Sequence, residues 1–151
     1  MNPQTVKTMF SSNSQEWETP QKLFDEYNQK HNFEIDLAAT PQNAKCPKFF
    51  TKDDDALTKP WDFKSAWCNP PYGRGVGEWV KKAAEESRKY KSKIVMLLPV
   101  RTDTKWFHNY IFCPRSNCTI IYIKGRLKFG GHQNSAPFPS MVVIFNGVED
   151  E

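Results

Sequence analysis

Ile94-Val95-Met96-Leu97-Leu98 is an unbroken run of five apolar residues. A strand with one wet face alternates apolar and polar side chains, whereas a short continuous run marks a strand buried on both faces, the usual condition of a parallel sheet covered by helices. From Val76 onward, Val76, Trp79, Val80, Ala83 and Ala84 fall at i, i+3, i+4, i+7 and i+8, and Lys and Glu fill the opposite side. That spacing predicts an amphipathic helix with one face turned to the core. A second short apolar run, Ser65-Ala66-Trp67-Cys68, precedes it. Strand, helix and strand in this order imply a right-handed crossover and a parallel sheet, so the chain is of the α/β class.

The remaining elements extend this unit. Thr19-Pro20 reads as a helix start, with Thr as N-cap and Pro at the first helical position, followed by Leu23, Phe24 and Tyr27 on one face. Phe33 to Ala38 alternates briefly and ends in small residues, as a strand would. Pro41 to Thr58 is irregular and polar, with three acids together at Asp53, Asp54 and Asp55. A second helix is expected over Thr104 to Phe112. Thr119 to Ile123 and Met141 to Phe145 read as strands, and no helix fits the long loop between them, so this last pair is expected to be antiparallel.

The 151 residues, 38% hydrophobic and 14% aromatic, suffice for one core and leave little room for a second domain. The expected organisation is a flexible arm over 1–14, a domain over 15–147 and an acidic tail over 148–151. No apolar run approaches the ~20 residues of a membrane span, and Met1 to Ser14 lacks a signal-type apolar segment. The expectation is a cytoplasmic protein without a membrane partner. Cys46, Cys68, Cys113 and Cys118 are too scattered for a zinc knuckle and read as free thiols, so no metal is expected.

Charge is distributed unevenly. Residues 1–75 carry 9 Lys/Arg against 10 Asp/Glu, residues 76–147 carry 12 against 4, and the chain closes on Glu149-Asp150-Glu151. An excess of that size in the second half is a footprint for a polyanion, although Lys81, Lys82, Lys89, Lys91 and Lys93 also suit the solvated face of a helix.

The chemistry concentrates in Asn69-Pro70-Pro71-Tyr72, which follows the 65–68 strand and precedes a glycine-rich helix start. Asn69 offers a side-chain carbonyl oxygen and Pro70 a main-chain carbonyl, two acceptors for the hydrogens of a planar amino group. The prolines fix their own φ and bias the residue before each toward extended backbone. Tyr72 adds an aromatic face for a heterocycle. Asp36-Leu37-Ala38-Ala39 and Pro99-Val100-Arg101-Thr102-Asp103 also fall at strand ends. Open α/β sheets bind ligands outside the carboxyl ends of their strands, near a switch in strand order, so the three stretches are expected to share one site.

In the order Trp17-Glu18-Thr19-Pro20, Asp36-Leu37-Ala38-Ala39, Asp55-Ala56-Leu57 with Trp61, Asn69-Pro70-Pro71-Tyr72-Gly73, Leu98 to Thr104, Gly125-Arg126-Leu127-Lys128-Phe129 and Ala136 to Ser140, the chain resembles the small phage-type DNA N6-adenine methyltransferases. The resemblance implies a Rossmann-like class I methyltransferase fold in minimal single-domain form, S-adenosylmethionine as donor with S-adenosylhomocysteine as product, and adenine in DNA as acceptor. It also implies a phage or prophage gene acting in a bacterial host, in the setting of restriction and modification. Asn69, Pro70, Pro71 and Tyr72 would form the catalytic motif, with Tyr72 holding a target base swung out of the duplex. Trp17, Thr19, Pro20, Asp36, Ala38, Ala39, Asp55 and Asn69 would line the cofactor, Asp36 facing its ammonium group and Asp55 its adenine. Asp53 and Asp54 read as solvated neighbours. Arg101, Arg126 and Lys128 would contact DNA. Where many methyltransferases carry Gly-x-Gly after the first strand, this chain has Ala38-Ala39-Thr40-Pro41, whose small side chains still permit close approach.

Two other readings stay open at this level. The acceptor could be RNA or a protein glutamine, since Asn-Pro-Pro-Tyr also serves such amino-methylations. Alternatively, the fold could be a non-catalytic DNA-binding or decoy module.

Overall fold

The computed structural model describes residues 17–113 and 116–147; the expected arm over 1–14 and tail over 148–151 lie outside the described residues. Five strands form one sheet: β1 (Ile35–Asp36), β2 (Ser65–Cys68), β3 (Lys93–Pro99), β4 (Cys118–Tyr122) and β5 (Ser140–Phe145), in the order β1-β2-β3-β5-β4. β1, β2 and β3 are parallel, with Ile35 opposite Ala66 and Ala66 opposite Ile94. β5 runs antiparallel to both β3 and β4, as the helix-free loop before it requires. The three parallel strands follow one another in chain order, so no reversal of strand order separates them, contrary to the switch point expected from the sequence.

β2 and β5 are buried throughout, and β3 is buried at every position except Lys93. This is the double-sided burial that the apolar runs predicted. α1 (Gln21–His31) buries Phe24 and Tyr27, and Phe24 meets the Trp67 ring edge-on at 5.5 Å. α2 (Val76–Tyr90) buries Val76, Val80 and Ala83, the stripe read from the sequence. Its Glu86 is buried too, where it accepts the Trp61 main-chain N–H at 3.0 Å and pairs with Lys82 at 3.1 Å. A buried carboxylate with two such partners is satisfied, and it pins the irregular 56–64 segment to the helix.

Several local expectations are corrected. Thr19 does not cap α1: Pro20 occupies the N-cap position in extended backbone, without a side-chain cap, because the Thr19 hydroxyl is engaged elsewhere. The segment before Thr51 is less irregular than its composition suggests. Asp36 donates its N–H to Lys48 O and accepts from Phe50 N–H, both at 3.0 Å, so 48–50 flanks β1 as a short extended partner. The second helix, expected over Thr104 to Phe112, is present over 105–111 but takes π form at Phe107–Ile111, with Phe112 N–H reaching back to Phe107 O at 2.7 Å. All four cysteines are free, Cys46 and Cys68 buried. Among the described residues no helix is long and apolar enough to cross a membrane.

β5 ends against the turn between α2 and β3. Gly147 there has φ +70°, and an added Cβ would lie 2.7 Å from Ser92 N and 2.8 Å from Ser87 O, main-chain atoms that cannot swing aside. A left-handed non-glycine residue costs about 1–3 kcal/mol before any overlap is counted. Gly147→Ala is therefore expected to lower unfolding free energy by about 2 kcal/mol or more, read from the midpoint of urea denaturation at unchanged slope.

Candidate active site

The carboxyl ends of β1, β2 and β3 point to one edge of the sheet. β4 runs alongside in the same sense, so its exit at Ile123 and the entry of β5 at Ser140 lie on that edge as well. Asp36 to Ala39, Asn69 to Tyr72, Val100 to Thr104 and the loop 123–139 thereby come together, as expected from the sequence. The loop is closed at its base by Ile123 N–H to Ser140 O at 3.0 Å and Val100 N–H to Pro139 O at 2.9 Å.

Asn69 follows directly on β2 and is half-buried. Its Nδ2 donates one hydrogen to the main-chain carbonyl of Trp17 and the other to Thr19 Oγ1 at 3.1 Å. A carbonyl can only accept, so this pairing fixes which end of the amide is nitrogen. The other end, Oδ1, is buried and has no hydrogen-bond partner among the described residues. An unpaired buried carbonyl costs free energy that a donor entering the site would recover. Pro70 is buried beside it and Pro71 exposed.

Tyr72 departs from its sequence-based role. Its ring is 6% exposed, with Phe138 edge-on at 5.6 Å and Phe129 at 6.3 Å, and its hydroxyl donates to Leu97 O at 2.9 Å. Burial raises the phenol pKa well above its ordinary value, so the hydroxyl stays protonated and remains a donor. In this structure Tyr72 anchors the loop to β3 and presents no open face. The reason is the aromatic excess of the 123–139 loop: Phe129 and Phe138 need apolar cover, and the tyrosine ring is within reach.

The segment 17–19 joins the two halves of the site. Gly130 N–H donates to Glu18 O at 2.9 Å. The Trp17 ring stacks on His132 at 4.3 Å and meets Phe138 and Phe129 edge-on at 5.1 and 5.4 Å. Nothing in the sequence foretold this seam, because a main-chain carbonyl carries no side-chain signature and His132 sits among polar loop residues. Pro20 is half-buried where α1 begins.

Asp36 is 3% exposed. Its carboxylate accepts from Ala38 N–H at 3.2 Å and from Lys45 N–H at 3.1 Å, so it folds the 37–45 loop back on β1. Burial pushes its pKa up to about 6, and those hydrogen bonds and the Lys45 charge offset the rise only in part. Ala38 and Ala39 are half-buried, and the Ala39 N–H is taken by Phe50 O at 3.0 Å. Asp55 does not point inward: it is exposed, in left-handed backbone at φ 52°, as the hinge between two 3-10 turns. Asp53 and Asp54 are exposed too, and Asp54 closes a capping box with Thr51, whose hydrogen bonds lower its pKa.

The basic candidates lie at the rim. Arg126 and Lys128 are on the 123–139 loop, Arg126 exposed, and Arg101 is exposed with its guanidinium 3.5 Å from Asp103, a surface pair of little energetic weight. Among the described residues no group of three or more His, Cys, Asp or Glu is arranged to hold a metal ion.

Comparison with known proteins shows relatives among phage proteins. The chain is 33% identical over 137 residues to a DNA N-6-adenine-methyltransferase of Haemophilus phage HP1, a match covering 85% of this chain and 77% of that protein. It is 34% identical over 93 residues to a DNA N-6-adenine-methyltransferase of Escherichia phage T1, covering 60% of this chain and 38% of the longer phage protein. A putative methyltransferase of Escherichia coli, YfdM, is 34% identical over 64 residues, covering 38% of this chain and 70% of that protein. The model of the DNA N-6-adenine-methyltransferase (Dam) family matches residues 7–151, and the chain belongs to that family.

Proposed function

We propose that this protein transfers a methyl group from S-adenosylmethionine to the N6 amino group of adenine in DNA. The observation that carries the reading is the Asn69 amide, whose two hydrogens are committed and whose buried oxygen has no partner among the described residues. The family's name and the names of the two phage relatives describe the same reaction. The mixed sheet, parallel through β3 and antiparallel at its C-terminal edge, is read as a minimal Rossmann-like class I methyltransferase fold. The setting proposed is the cytoplasm of a bacterial host, with the gene carried by a phage or prophage.

The adenine amino nitrogen is a weak nucleophile because its lone pair is delocalised into the ring. Asn69 Oδ1 and the Pro70 carbonyl, accepting its two hydrogens, favour a pyramidal nitrogen with the lone pair available. No strong base is needed, since the proton lost from the methylated nitrogen can pass to solvent as S-adenosylhomocysteine is left behind, and rigid positioning contributes several kcal/mol. Pro70 and Pro71 stiffen the loop, and Tyr72 ties it to β3.

S-adenosylmethionine, when bound, supplies the methyl group as a sulfonium. The residues fit such a ligand: the Asp36 carboxylate is desolvated and short of positive charge, which is where an ammonium group gains most. Trp17, Pro20, Ala38 and Ala39 are proposed to border it. Arg126 and Lys128, with Arg101, are proposed to meet DNA phosphates from the rim.

Purified protein incubated with labelled S-adenosylmethionine and unmethylated DNA should yield N6-methyladenine. Asn69→Ala should abolish that product while thermal unfolding stays cooperative; retained activity would sink the role given to Asn69. Methyl incorporation into RNA or a glutamine-bearing protein, with none into DNA, would move the acceptor.

Asp36 also sets a pH dependence of stability. Its folded pKa of about 6 lies above the ordinary 3.8, so its contribution is fully present below pH 3.8 and lost as pH rises through 6. The stability difference between wild type and Asp36→Asn should shift against the wild type by on the order of 2–3 kcal/mol across that window, in urea titrations at stepped pH. For the rim, Arg126→Ala with Lys128→Ala should weaken DNA binding and reduce the slope of log affinity against log salt by about 1 for each phosphate no longer neutralised.

A further inference from the structure

Asn69 is useful as an acceptor only if its amide cannot turn over. An unrestrained asparagine presents oxygen and NH2 by turns, and part of that population would offer hydrogens where acceptance is needed. Here the NH2 end is held by two acceptors from one extended segment, the Trp17 carbonyl and the Thr19 hydroxyl. Thr19 is 6% exposed, and its hydroxyl is taken by Asn69 although Pro20 opens a helix that has no side-chain cap. A threonine before a helix ordinarily caps it, so this one is diverted from a favourable local use. The segment is itself held in place, by Gly130 N–H on Glu18 O and by the Trp17 ring on His132 and Phe138.

We propose that Thr19, together with the main chain of Trp17, is the positioning element that locks the Asn69 amide with Oδ1 toward the acceptor base. This rests on the methyltransferase reading and extends it to a residue outside the Asn-Pro-Pro-Tyr motif. Its chemical consequence is base selection. With both hydrogens committed, residue 69 can accept and cannot donate. The N6 amino group of adenine presents a donor to Oδ1, whereas a carbonyl oxygen in its place, as in thymine O4 or guanine O6, would meet Oδ1 lone pair to lone pair. The lock therefore favours a base that brings an amino group to Oδ1 and disfavours one that brings a carbonyl oxygen there.

Two variants and two readouts test it. Thr19→Val removes the hydroxyl at similar size, and Thr19→Ser keeps it. In the DNA methylation assay, Thr19→Val should lose kcat roughly ten- to a hundredfold, the scale of a misplaced catalytic group, with KM for S-adenosylmethionine within about twofold of wild type. Thr19→Ser should recover most of the loss. Unchanged kcat in a folded Thr19→Val, or a rise in KM alone that marks Thr19 as a cofactor contact, would overturn the proposal.

The second readout does not depend on activity. The Asn69 side-chain NH2 resonances, identified in 15N-labelled protein by their loss in Asn69→Ala, should exchange slowly with solvent in wild type and Thr19→Ser, and faster in Thr19→Val. Should Thr19→Val fail to fold, Thr19→Ala serves in both measurements. Fast exchange in wild type would overturn the lock. If wild type made no N6-methyladenine, the methyltransferase reading would fall, and slow exchange abolished in Thr19→Val would still establish the lock.

Discussion

The double-sided burial of β2 and β3 is the constraint on which the molecule depends. Strands with no wet face must place their polar neighbours beyond their ends. Four residues of β2 run between β1 on one side and β3 on the other, and the first residue beyond that ladder is Asn69. The position of Asn69 is thus set by the end of a buried strand, while loops that follow other strands supply the rim. Position comes from hydrophobic burial, and chemistry begins where burial stops.

Much of this was legible because apolar periodicity is a strong signal. The run at 94–98, the stripe from Val76 and the helix-free loop before β5 foretold the parallel half, the crossover helix and the antiparallel edge. Convergence of the motif stretches followed from strand direction alone. What failed was whatever depended on competition for a partner. Thr19 had two possible uses, as a helix cap or as an acceptor for Asn69, and sequence favours the local one because the partner, fifty residues on, is invisible to it. Tyr72 looked like an open face because nothing near it in sequence covers it; Phe129 and Phe138 do so in space. Asp55 was assigned an inward role by likeness, yet it stands exposed in left-handed backbone between two short turns.

Asp36 illustrates how one group can serve structure and site together. Its carboxylate organises the 37–45 loop through two main-chain N–H groups, and the desolvation incurred there raises its affinity for any cation that arrives. The alanines that stand in place of a glycine loop have their own N–H groups committed, Ala38 to Asp36 and Ala39 to Phe50. This strand end therefore offers side chains and carbonyls more than these two main-chain N–H groups.

The bond from Gly130 N–H to Glu18 O falls between the two residues that hold Asn69. It joins the basic loop to the amide lock through a single stretch of backbone. The basic rim and the Asn69 amide are then not separable modules in so small a domain. A lineage that lengthens or shortens the loop before Gly130 would shift the bridge and disturb the lock, whereas changes at 133–135, beyond the bridge and exposed, leave it in place. The exposed residues 133–135 are thus where this loop has most latitude to vary in sequence without moving the bridge.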